Sequence, residues 1–131
     1  MVEFKQKARN YFIIGVIAET LGMNSEAAAN FFKALFAADD LAIYNKIEQE
    51  PKDHTERFYL LKSHFPKLYT ITDRLFSTYR RTYTQELNKE ELSLVKKRVV
   101  EAFENAEVAT PTNEEIKAKF EELLKKGKLF S

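Results

Sequence analysis

The chain has no cysteine. Disulfides, thiolate nucleophiles and thiolate zinc centres are therefore excluded. Histidine is scarce, only His54 and His64, so a histidine-rich metal site is not expected. Glycine and proline number three each, and five of the six stand where a helix should start or stop. That leaves little material for tight hairpins, and no segment alternates apolar and polar residues as a strand would. The longest apolar run, residues 11–18, is far short of the roughly 20 needed to cross a membrane. Net charge is only +1, from 21 basic against 20 acidic residues, so no global basic field points to nucleic acid.

What is present is the composition of one globular domain: 131 residues, 44% hydrophobic and 31% charged. Lys5, Lys7 and Arg9 before the apolar run faintly resemble a secretory leader. No small-residue cleavage pattern follows and the amphipathic pattern continues, so a cytoplasmic protein with no membrane association is expected.

The periodicity predicts an all-α fold. A first helix covers residues 2–21 and stops at Gly22. Its second half is apolar nearly all round, which predicts a central position or burial by a partner chain. Gly15 within it costs helix stability, and close helix–helix approach is its expected compensation. Asn24 or Ser25 opens a second helix to Ile47, with Ala27, Ala28, Phe31, Leu35, Ala38, Ala42 and Ile47 near one stripe. After a connector at 48–52, Asp53 and Glu56 form a capping pair for a third helix to Phe65. Pro66 breaks the path, and a fourth helix follows over 67–85. Asn88 with Glu91 opens a fifth, to Ala106, whose inner stripe is Leu92, Val95, Val99, Phe103 and Ala106. Residues 107–110 read as a linker, and Thr112 with Glu115 opens a last helix to Lys126, before Gly127. The expected architecture is an up-and-down antiparallel bundle of four core helices over 1–106. Residues 107–131 add a linker and a C-terminal helix docked on it. Seventeen Phe and Tyr rings exceed what one small core hides, which favours a homodimer.

Four features together resemble the HEPN domain family: Phe31 and Phe32 among alanines, Lys52 and His54 at the next helix start, Arg80 with Tyr83, and the amphipathic helix of residues 91–103. The resemblance covers residues 24–106. It implies an up-and-down bundle, frequent homodimers, and roles in nucleotide or RNA transactions beside a minimal nucleotidyltransferase, as in toxin–antitoxin pairs. The family's ribonuclease branch carries Arg, four to six residues, then His. After Arg80 or Arg81 this chain has no histidine before Asn88. Arg57 and His64 match that spacing one helix earlier, two turns apart on one helical face, and are the candidate catalytic pair.

The stronger cluster is Arg74, Arg80, Arg81 and Tyr83, where guanidinium groups suit a phosphate and a tyrosine ring suits a base. The competing reading has these arginines at a helix end, paired with acids such as Glu86. Lys96, Lys97 and Arg98 read as a solvated face. Asp39 and Asp40 interrupt an apolar helix; pointing about 100° apart, at most one should face inward, with Arg74 or Arg80 as a candidate partner. His54, at a capping position, reads as structural. The expected function is a non-catalytic protein binding a nucleotide or RNA phosphate, or a protein partner such as a nucleotidyltransferase, with no metal or cofactor. The alternatives are a metal-independent ribonuclease and a scaffolding bundle without a small ligand.

Overall fold

In the computed structural model, which describes residues 2–126, six helices and no strand are found among the described residues. They are α1 (Val2–Thr20), α2 (Asn24–Ile47), α3 (His54–His64), α4 (Pro66–Arg81), α5 (Lys89–Asn105) and α6 (Asn113–Lys125). The all-α expectation holds. The anticipated stop at Gly127 and the side chain of Leu123 lie outside the described residues.

Local chemistry explains most of the boundaries. Gly22 ends α1 at φ +75°, with Met23 N–H donating to the Ala18 carbonyl at 2.9 Å and Gly22 N–H to Glu19 at 3.0 Å. This is a left-handed cap that satisfies two orphan carbonyls. Asn88 and Thr112 each form a reciprocal capping box, with Glu91 and Glu115 respectively. At α3 only half of the expected pair forms. Asp53 accepts the Glu56 N–H at 2.8 Å, but the Glu56 carboxylate turns to Gln49 of the connector at 3.1 Å. α4 is shorter than the periodicity predicts, ending at Arg81 because Thr82 bonds back to the Tyr79 carbonyl and starts a turn.

The central element is α2, not α1. α2 packs against α1, α3, α4 and α5, and twelve of its residues are buried. Its alanines, Ala27, Ala28, Ala34, Ala37, Ala38 and Ala42, let the neighbouring backbones come close. α1 lies on one side of it: Ala8, Phe12, Ile13 and Ala18 are buried, while Ile14 is half exposed at 49%. Gly15 meets α2 directly, since a Cβ there would stand 2.6 Å from the Phe31 ring. The close approach anticipated at Gly15 is thus present. All five stripe residues of α5 are buried. α6 touches only α1, through Ile116 and through Arg9, which donates to Glu115 at 2.6 Å and to the Ala109 carbonyl at 2.9 Å.

Most of the described rings pack within the chain, while Tyr59 and Tyr83 are exposed. Phe12, Phe31, Phe32 and Phe103 fill the core. Phe36, Phe58, Phe76, Tyr79 and Tyr83 join His54 in a continuous set of ring contacts where α3 and α4 meet over α2.

Candidate functional site

The two adjacent aspartates of α2 diverge as helical geometry requires, and they meet different helices. Asp39 points at α4, fully buried, where the Thr72 hydroxyl donates to its Oδ2 at 2.7 Å. Its Oδ1 has no hydrogen-bond partner among the described residues, and burial pushes the carboxyl well above the usual range. Asp40 points at α3 and receives a two-pronged ion pair from Arg57, Nε to Oδ1 at 2.7 Å and Nη2 to Oδ2 at 3.0 Å. The side chains of Arg57 and Asp40 are only 11% and 14% exposed. The expected link from this acid pair to Arg74 or Arg80 is replaced by Arg57. That residue reaches Asp40 because α3 begins just beyond the connector and lies across α2.

Arg57 also fixes the state of His54. Its Nη1 stands 2.6 Å from His54 Nδ1. A guanidinium has only donors, so Nδ1 accepts and the imidazole proton sits on Nε2. Burial, and then the Arg57 charge, push the His54 pKa down, which keeps the ring neutral near pH 7. Around the imidazole stand Phe36, Phe76 and Tyr79, with centroids 4.7, 5.3 and 5.5 Å away. The Arg57 guanidinium lies 5.0 Å from the centre of the Phe36 ring.

From this centre the rings step outward along α4. Tyr79 and Tyr83, one turn apart, share a hydroxyl–hydroxyl hydrogen bond at 2.7 Å with ring centres 5.4 Å apart. Burial and the Tyr83 hydrogen bond push the Tyr79 phenol up to about 12. Tyr83 is 74% exposed and offers an open face. Arg80, exposed, sits 5.9 Å from the Phe76 ring centre.

Of the residues singled out in the sequence, Arg57, Arg80 and Tyr83 therefore border one surface. Arg81 turns away to an ion pair with Glu91 of α5, not with Glu86. Arg74 lies in a separate depression with Lys67, Thr70 and Glu101. Arg57 and His64 form no hydrogen bond. They are seven residues apart along α3, about 10 Å of rise, and His64 borders a shallow pocket with Phe65, Pro66, Lys67 and Asn105. Of the run read as a solvated face, Lys97 is exposed and Arg98 pairs with Glu101 on its own helix, but Lys96 is half-buried in an ion pair with Glu19 of α1. The capping reading of His54 leaves out its pairing with Arg57. The available signal was the His-x-x-Arg spacing, which places both side chains on one helical face.

Chemically, the surface offers donors and ring faces. These are the exposed Arg80 guanidinium and the hydroxyl and ring of Tyr83, beside the half-buried His54 imidazole. Among the described residues no group of three or more His, Asp or Glu is placed to hold a metal ion. No helix among them is long and apolar enough to cross a membrane. Set against family models, curated proteins and solved structures, the chain matches none, so the likeness to HEPN domains stands on the motif residues alone.

Proposed function

We propose that the chain is a non-catalytic HEPN-like protein, its core helices in the up-and-down order of that family. It binds a nucleotide or RNA phosphate on the surface formed by His54, Arg80 and Tyr83. The observation that carries this reading is the Arg57–His54 hydrogen bond. A general base needs an imidazole lone pair turned to the substrate. Here the Nδ1 lone pair is occupied by a guanidinium, and the other nitrogen is a neutral donor suited to a phosphate oxygen. Tyr83 adds an open ring for a base, and Arg80 adds a charge for the backbone.

The test is fluorescence anisotropy with a labelled single-stranded oligoadenylate, beside AMP titrated by calorimetry. Tyr83→Ala should weaken oligonucleotide binding by about 5- to 100-fold, the range of one stacking contact. Arg80→Glu should weaken it further and flatten the salt dependence. Cleavage of the oligonucleotide that is lost in His54→Ala would overturn the non-catalytic reading. Unchanged affinity in both Arg80→Glu and Tyr83→Ala would move the surface from nucleic acid to a protein partner.

A further inference from the structure

Arg57 has a second face. It also lines a cavity of about 200 Å³ with Lys7 and Tyr11 of α1, Lys33 and Asp40 of α2, and Glu50 of the α2–α3 connector. Neither lysine takes part in an ion pair among the described residues. The Lys33 ammonium instead stands 5.7 Å from the centre of the Tyr11 ring. A guanidinium carries five N–H groups. Three of those on Arg57 are engaged by Asp40 and His54, which leaves two for the cavity or its contents. With Asp40 neutralised by Arg57, the remaining charges at the cavity are Lys7 and Lys33 against Glu50. Two ammonium groups without an ion pair among the described residues and a mostly buried guanidinium thus outnumber the two carboxylates of the cavity, one of which is already engaged.

We propose that this cavity binds a phosphate group, with Lys7 and Lys33 as its charged ligands and Arg57 as its fixed floor. Its volume is below the roughly 300 Å³ at which pockets begin to enclose whole drug-sized ligands. It therefore takes the phosphate and a few attached atoms, not a complete nucleotide. The phosphate belongs either to a small phosphorylated compound or to a strand lying across the His54–Tyr83 surface. Ammonium point charges on flexible stems suit the tetrahedral oxygens, and the rigid guanidinium sets the depth. Glu50 opposes the anion from the exposed rim, which makes the proposal testable with two opposite signs.

The probe is inorganic phosphate, followed by thermal unfolding and calorimetry of the full chain against sodium chloride of equal ionic strength. Phosphate should raise the melting temperature beyond the chloride control. Lys7→Gln and Lys33→Gln, both at exposed positions, should each weaken binding about tenfold. Glu50→Gln should tighten it about threefold. Phosphate binding that depends on Lys7 and Lys33, and oligonucleotide binding that depends on Arg80 and Tyr83, are read separately, so this site and the nucleic-acid surface can fail separately. Displacement of the labelled oligoadenylate by phosphate identifies the strand as the source; simultaneous binding, with ribose 5-phosphate matching phosphate, identifies a small compound. No stabilisation beyond chloride, or lysine variants indistinguishable from the parent chain, would overturn the proposal.

Discussion

Arg57→Met removes the one side chain that joins α2, α3 and the candidate surface. It leaves the Asp40 carboxylate, only 14% exposed, without its hydrogen-bonded ion-pair partner, with only the exposed Lys7 and Lys33 of the shared cavity as nearby positive charge. Breaking a buried pair by removing one partner costs about 3–5 kcal/mol, and the residual solvent access here lowers that to about 2–4 kcal/mol. The lost hydrogen bond to His54 adds about 1 kcal/mol. The sum, about 3–4 kcal/mol after overlap between the two, should lower the melting temperature by roughly 10–15 °C for a domain of this size. Urea unfolding followed by circular dichroism at 222 nm gives the free energy directly. The decisive control is the double variant Arg57→Met with Asp40→Leu, which replaces the pair by apolar groups and should return to within about 1 kcal/mol of the parent. In Arg57→Met alone, the His54 imidazole should also titrate at higher pH by NMR. Its pKa is pushed down by burial and by the Arg57 charge, while Asp40 and Asp53 pull it up. A single-variant cost below about 1 kcal/mol, or a double variant no more stable than the single, would refute the reasoning.

Asp39 gives a pH prediction of defined sign. Its folded pKa lies above the ordinary 3.8, so above that pH the native state holds a proton that the unfolded chain has released. Stability from this group is therefore lost as pH rises from about 4 toward the folded pKa. Asp39→Asn should flatten that decline when urea midpoints are compared from pH 4 to 8; an unchanged slope would assign the decline elsewhere. Gly15→Ala sets two effects against each other. Alanine favours the helix by about 1 kcal/mol, but its Cβ would meet the Phe31 ring at 2.6 Å in a core with no slack. Overpacking costs about 1–3 kcal/mol, so net destabilisation is expected, and a stabilised variant in the same urea assay would show that Phe31 moves freely.

The helices and their starts were legible because they are local. Asn88 with Glu91, Thr112 with Glu115, and Gly22 are signals contained within six residues of chain. The end of α4 was less legible, since the periodicity runs on to residue 85 while the helix stops at Arg81. Two other ends, read at Ile47 and Ala106, lack their usual marker. α2 and α5 end with glutamates at positive φ, Glu48 at 54° and Glu107 at 60°, where glycine is the usual marker. The order of burial was also hidden. α1 has the longer apolar run, yet α2 is central, because its alanines admit neighbours on several sides and its mid-helix carboxylates, Asp39 and Asp40, meet Thr72 and Arg57. Arg80 and Tyr83 were found from residue type alone. His54 and the Asp40–Arg57 pair were not, since Asp40 and Arg57 are 17 positions apart and meet only once α3 crosses α2. Arg81, equal to Arg80 in the sequence, is separated from it by the direction of one helical step, which carries it to Glu91.

The central position of α2 divides the molecule by cooperativity. α1 and α2 pack along their length through small residues and Phe31, with α5 against the other side. α3 and α4 pack on each other, on α2 and, for α4, on α5, but more sparsely than α1 packs on α2; Leu60, Leu61, Leu68 and Leu75 reach the common core beside Asp40–Arg57 and Asp39–Thr72. Sub-global opening should follow this seam, with the α3–α4 pair exchanging its amide hydrogens well before α1 and α2. The pair that opens first also carries His54, Arg80 and Tyr83. A ligand held there would protect those amides selectively and stiffen the most labile unit of the fold.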